Sequence, residues 1–129
     1  VSERFFILIA DRNRNVREFM KRELMAEGYR VRVARDDREV LEAVESSDPP
    51  ALVILDPEIP YGGALEVVET LGMRKPGLPI VIHSLSREDT LHPSLKRVAA
   101  FVEKSGNMEH LKETLASVLH HRYRAKSTA

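Results

Sequence analysis

Cysteine is missing from all 129 residues. That excludes disulfides, thiolate metal sites and thiol catalysis, while histidine and carboxylate metal sites stay open. Net charge is missing too, since 20 basic residues balance 20 acidic ones. No global field draws the chain to nucleic acid or to an anionic membrane, so such partners would need a local patch. No apolar run exceeds about six residues, far short of a membrane span. Neither membrane contact nor nucleic-acid binding through this domain is therefore expected. Val1-Ser2-Glu3-Arg4 lacks the pattern of a secretory signal, so the expected compartment is cytoplasmic. Val1 in place of an initiator methionine points to a chain trimmed or excised from a longer one.

Several catalytic signatures are missing as well. Neither G-x-G-x-x-G nor G-x-x-x-x-G-K-[ST] occurs, so the usual nucleotide phosphate cradles are absent. There is no G-x-S-x-G elbow, which makes Ser84 a poor hydrolase nucleophile. The first apolar run ends Asp11-Arg12-Asn13, not in the two alternate aspartates of an Asp-nucleophile phosphatase. The histidines (His83, His92, His110, His120, His121) have no zinc spacing and read as surface or incidental residues. The short basic stretch His120–Arg124 reads as a solvated helix end. An independent enzyme is the least supported class.

What is present is an alternation. With 43% hydrophobic and 31% charged residues the composition is ordinary for a globular protein, and the length suits one domain with a real core. Phe5–Ala10, Ala51–Leu55, Leu78–Ile82 and Ala99–Val102 read as buried strands, and Arg30–Ala34 as an alternating one. Segments of helical period lie between them. Val16, Phe19, Met20 and Leu24 mark a helix from about Asn13 to Glu27, ended by Gly28. Asp36, with Glu39 three residues on, begins a short helix carrying Val40, Leu41 and Val44. Leu65, Val68 and Leu71 mark a third, broken by Pro76-Gly77, and a weak fourth is predicted near Thr90–Val98 with Pro93 inside it. Asn107 caps the last, whose stripe is Met108, Leu111, Leu115, Val118 and Leu119. Five βα units imply an α/β fold with helices on both faces of a parallel sheet. The expected domain is 1–121, followed by a polar tail, 122–129, that frays.

Polar side chains follow four of these strands: Asp11, Asp56, Ser84 and Lys104. In a parallel sheet those ends share one edge, where sites are built. A carboxylate such as Asp56 can be a covalent nucleophile toward a phosphoryl group. The transferred group spreads negative charge over its equatorial oxygens and needs cationic and hydrogen-bonding partners. Lys104 and the Ser84 hydroxyl can supply these, and Asp11 can help hold a Mg²⁺. Asp11 also suits a helix N-cap, and Phe101 is equally well explained as core.

The segments Ile7–Asp11, Leu52–Asp56 with Pro60 beyond, Pro79–Ser84 and Phe101–Lys104 occur in this order with helices between them. Together they resemble the receiver domain of two-component response regulators over about residues 4–121. The resemblance implies a flavodoxin-like, doubly wound, five-stranded sheet of order 2-1-3-4-5. It implies Asp56 as phosphoacceptor from a sensor histidine kinase or phosphotransfer protein. Ser84 would be the switch hydroxyl, Lys104 the phosphate-binding cation and Phe101 the switch aromatic. Mg²⁺ ligands would be Asp11, Asp56 and the backbone carbonyl of Glu58. Output would pass to a downstream protein or to an output domain absent from this chain.

Departures from the pattern define the question. Receivers usually carry a second acidic residue where this chain has Arg12, replacing a negative charge by a positive one. At ~4 Å and an effective dielectric of ~20, each unit-charge pair is worth roughly 4 kcal/mol before relaxation. Mg²⁺ binding is therefore expected to be weak, with Arg12 reaching Asp56 through a bidentate guanidinium in the metal's place. Pro57 restricts the backbone at the site, Leu85 is expected to crowd access to Asp56, and Ser105 replaces a usual proline. Two readings follow: a receiver phosphorylated on Asp56, or a phosphorylation-independent pseudo-receiver acting as a protein-interaction module.

Overall fold

The computed structural model describes residues 5–85, 93–105 and 107–127. Five strands form one parallel sheet: β1 (Phe6–Ala10), β2 (Arg30–Ala34), β3 (Leu52–Leu55), β4 (Ile80–Ser84) and β5 (Ala100–Glu103). Their order is β2-β1-β3-β4-β5, as expected. Among the described residues four α-helices connect and cover them: α1 (Arg14–Ala26), α2 (Asp37–Val44), α3 (Gly63–Arg74) and α4 (Glu109–Ser127).

The side-chain alternation of a strand splits the apolar runs between two cores. Leu8, Ala10, Val53, Leu55 and Ile82 face α2 and α3, where they meet Val40, Val44, Val67 and Leu71. Ile7, Ile9, Leu52, Ile54 and Val81 face the other way, against Met20, Leu24, Leu111 and Leu115 of α1 and α4. Burial on both faces is why these strands read as continuous apolar runs.

Local chemistry sets the helix ends. Asn13 accepts a hydrogen bond from the Val16 amide through its side chain and caps α1. Gly28, at φ 99°, takes the left-handed conformation after the helix that a side chain disfavours. Asp36 caps α2 by accepting from the Glu39 amide at 2.9 Å. Glu39 reaches back one residue further than a capping box requires, accepting from the Arg35 amide at 2.8 Å.

Two expectations need correction. The helix predicted near Thr90–Val98 is described only from Pro93, and there it is a 3-10 helix, Pro93–Arg97. Proline at its first position has no amide to lose, whereas within an α-helix it would break the ladder; residues 86–92 lie outside the described residues. The polar stretch after residue 121 does not fray at once, because α4 continues to Ser127. Tyr123 anchors it, donating its hydroxyl to the Ala51 carbonyl at 2.6 Å and packing 5.3 Å from the Phe5 ring.

Leu115 is fully buried in the α1–α4 core, whereas Met73 on α3 is mostly exposed. Leu115→Ala should lower stability by about 2–5 kcal/mol, and Met73→Ala should stay within about 0.5 kcal/mol. Urea unfolding followed by far-ultraviolet circular dichroism reads both. Equal losses for the two would overturn the core assignment.

Candidate functional site at the carboxyl edge of the sheet

Backbone hydrogen bonds that continue the strand ladders set the site residues in place. The Asp11 amide donates to the Ala34 carbonyl at 3.1 Å, and the Asp56 amide to the Ala10 carbonyl at 2.8 Å. The Lys104 amide donates to the Ser84 carbonyl at 2.6 Å. Each bond extends a pairing by one residue and holds its side chain at the sheet edge. Asp11 and Asp56 are each 2% exposed, so their charges need compensation from the protein rather than from water.

Lys104 provides most of it. Its ammonium lies 2.9 Å from Asp11 Oδ2 and 3.6 Å from Asp56 Oδ1, and its side chain is only 13% exposed. Three of the four carboxylate oxygens accept backbone amides, Asp56 Oδ1 alongside Lys104. Asp11 Oδ1 accepts from Asn13 at 2.8 Å, Asp56 Oδ1 from Glu58 at 3.0 Å, and Asp56 Oδ2 from Arg12 at 3.2 Å. Arg17 donates to the Asp11 carbonyl at 2.7 Å, tying α1 to the site. Ser84 is buried at the end of β4.

Arg12 does not make the bidentate pair with Asp56 that its position suggested. Its Nε stands 3.7 Å from Asp56 Oδ2, and its Nη2 pairs with the Glu58 carboxylate. The short span from residue 56 to 58 brings Glu58 within reach, so the guanidinium is shared between a buried and an exposed acid. Sequence reasoning reached only the Glu58 backbone. The missed signal was an acid two residues after Asp56, opposite a new arginine.

The residues expected to ligate Mg²⁺ therefore sit among cations. Asp11 is in contact with Lys104, and Asp56 lies between Lys104 and Arg12. Among the described residues no group of three or more His, Asp or Glu side chains could hold a metal ion. The two carboxylates that would meet a divalent cation are thus already paired with Lys104 and Arg12.

Phe101 is 41% exposed on β5, which removes the core explanation for it. Leu85 is also largely exposed. It lines a cavity of about 500 Å³ with Phe19, Met20, His83, Lys104 and Met108.

His83 is the main departure from the reading of the histidines. It is 6% exposed. The β4 alternation turns it to the same face as Val81, and its Nδ1 has no partner among the described residues. Burial, with the Lys104 charge adding to it, lowers its pKa from 6.5 to about 4, although Asp11 and Asp56 pull the other way. The unfolded chain therefore binds a proton between pH 6.5 and 4 that the folded chain refuses, so stability falls as pH drops through that window. The slope from this group approaches about 1.4 kcal/mol per pH unit. His83→Asn should flatten that part of the stability–pH curve in urea titrations at pH 7 and 5. An unchanged slope would show that His83 is not the group responsible.

Comparison with known proteins supplies the family. A family model described as the response regulator receiver domain matches residues 7–116. Response regulator MprA of Mycolicibacterium vanbaalenii is 41% identical over 76 residues, which is 59% of this chain and 32% of that protein. The MprA of Mycobacterium ulcerans is 42% identical over the same length. The chain thus spans about a third of the length of the curated relatives it matches. Response regulator TrrA of Thermotoga maritima, solved with Mg²⁺ and BeF, superposes with a TM-score of 0.83 at 32% identity, covering 88% of this chain and 98% of TrrA. TrrA has also been solved in complex with the histidine kinase ThkA, with a TM-score of 0.82 at 33% identity and coverage of 89% and 98%. Among the described residues no helix is long and apolar enough to cross a membrane. This chain belongs to the response regulator receiver domain family of two-component signalling.

Proposed function

We propose that Asp56 accepts a phosphoryl group from a sensor histidine kinase or a phosphotransfer protein, and that the modified site switches partner binding. The observation that carries this reading is Lys104, whose ammonium spans both buried aspartates at 2.9 and 3.6 Å. A fixed cation beside the nucleophile is what a transferring phosphoryl group requires. A carboxylate oxygen of Asp56 forms the new P–O bond while the bond from phosphorus to the donor's imidazole nitrogen breaks, and the electron pair leaves with that imidazole. Lys104 holds the phosphoryl oxygens, and the Arg12 amide and guanidinium stand on the other side of Asp56. Ser84 is the hydroxyl that moves to the modified group, and Phe101 is the exposed aromatic that reports the change.

Asp11, Asp56 and the Glu58 carbonyl are the groups that would meet Mg²⁺. The Arg12 guanidinium repels it, so binding is weak and phosphorylation depends little on it. Output passes to a downstream protein or to a domain this chain does not span. The domain proposed for this role is 1–121, with 122–129 as an extension.

One observation favours a second reading. Arg12 contacts Asp56 Oδ2 with both its amide and its Nε while Glu58 anchors the guanidinium. That arrangement neutralises Asp56 without phosphate, as a pseudo-receiver acting as an interaction module would require.

Acetyl phosphate separates the two readings. The chain should gain one phosphoryl group in intact mass with or without Mg²⁺, and Asp56→Asn should gain none. An unmodified chain beside a labelled ordinary receiver would overturn phosphorylation and leave the pseudo-receiver. Arg12→Asp should tighten Mg²⁺ binding by about tenfold or more in calorimetry. Unchanged affinity would overturn the charge argument.

A further inference from the structure

A second cavity lies away from Asp56. About 690 Å³ opens at the opposite edge of the sheet, where the chain enters β4 and β5 and where the C-terminal part of α3 meets α4. Its charged groups are all basic: Lys75, Arg97 and Arg122, with the His121 imidazole beside them. Among the described residues lining it none is acidic, and none of these three cations has an ion pair. Such a cluster is unexpected in a chain of zero net charge. The C-terminal end of α3 offsets about half a unit of charge against three.

Two glycines give the arginines their places. A Cβ on Gly72 would lie 2.7 Å from Arg97 Nη1, and one on Gly77 would overlap Arg122 Nη2. Both guanidiniums thus lie against backbone that only glycine leaves open. The Arg122 Nε is buried and has no partner among the described residues. A buried N–H left without an acceptor is costly, so a small shift of the guanidinium that gives it an anion as acceptor is favoured. Most of the remaining wall is apolar, including Leu71, Leu78, Pro79 and Val118, with Ser117 the polar exception.

We propose that this cavity binds a small organic phosphate. The phosphate would sit between Arg97 and Arg122, where planar guanidiniums suit its oxygens. An apolar body would lie against Leu71, Leu78 and Val118. The volume is in the range of small-molecule sites, and far exceeds the roughly 30 Å³ of one water, so a bare inorganic ion would leave most of it unfilled. The site is separate from Asp56, and it gives Arg122, with the exposed His121 beside it, a role in the wall of a cavity.

Amide spectra of the ¹⁵N-labelled chain, titrated with phenyl phosphate, inorganic phosphate and phenol, test this. Phenyl phosphate should bind with a sub-millimolar Kd, and the other two about tenfold or more weaker. Shifts should gather at Gly72, Gly77, Leu78 and Ala99 rather than around Asp56. Arg122→Gln should weaken binding about tenfold. Gly77→Ala, which keeps every charge and only displaces the guanidinium, should do the same while the spectrum stays dispersed. Four results would overturn the proposal: no saturable shift; shifts at the Asp56 edge; equal affinity for phenyl phosphate and inorganic phosphate, showing a charged patch only; or full affinity in both variants.

Discussion

Two aspartates, each 2% exposed, stand at the ends of adjacent strands, and one lysine from the far side of the sheet holds them both. Two buried carboxylates side by side would repel and would lack hydration. Lys104 arrives from the end of β5, crosses β4 and binds the ends of β1 and β3. The carboxyl edge of the sheet depends on that contact, and it fixes which oxygens remain for chemistry. Asp11 is largely committed to Lys104 and the Asn13 amide. Asp56 is shared among Lys104, Arg12 and the Glu58 amide.

Arg12 changes this family's site without dismantling it. It adds a second cation where the resemblance implied a metal, and Glu58 holds that cation part of the way toward solvent. The guanidinium is 43% exposed and has an exposed partner, so it is less committed than Lys104. Exposed pairs of this kind hold their partners weakly. An arginine that can leave Asp56 is compatible with a nucleophile, and one that stays is compatible with a permanent stand-in for the metal. The function turns on that difference.

The neutral total charge conceals a division of the molecule. Acids and cations meet at the carboxyl edge, whereas the cavity at the opposite edge is lined by cations alone, the Arg30–Asp48 and Arg74–Glu45 pairs lying elsewhere on that edge. Both edges follow from parallel strands, which place all chain entrances on one side and all exits on the other. Charge alternation along the chain gives no sign of this separation.

Apolar runs, their lengths and the breaks between them determined the strands, the parallel sheet, its order through the family resemblance, and Asp11, Asp56, Ser84 and Lys104 at one edge. Those features are local or periodic, so they survive in one dimension. His83 was misread because a single polar residue in an apolar run gives no sign of burial unless the alternation of β4 is followed through it. The Arg12–Glu58 pair, the continuation of α4 through Tyr123 and the cation-lined cavity were decided only by tertiary structure. Each joins groups from separate turns or elements, and whether a long, flexible side chain reaches one acid or another is settled by packing, which no spacing in the sequence encodes.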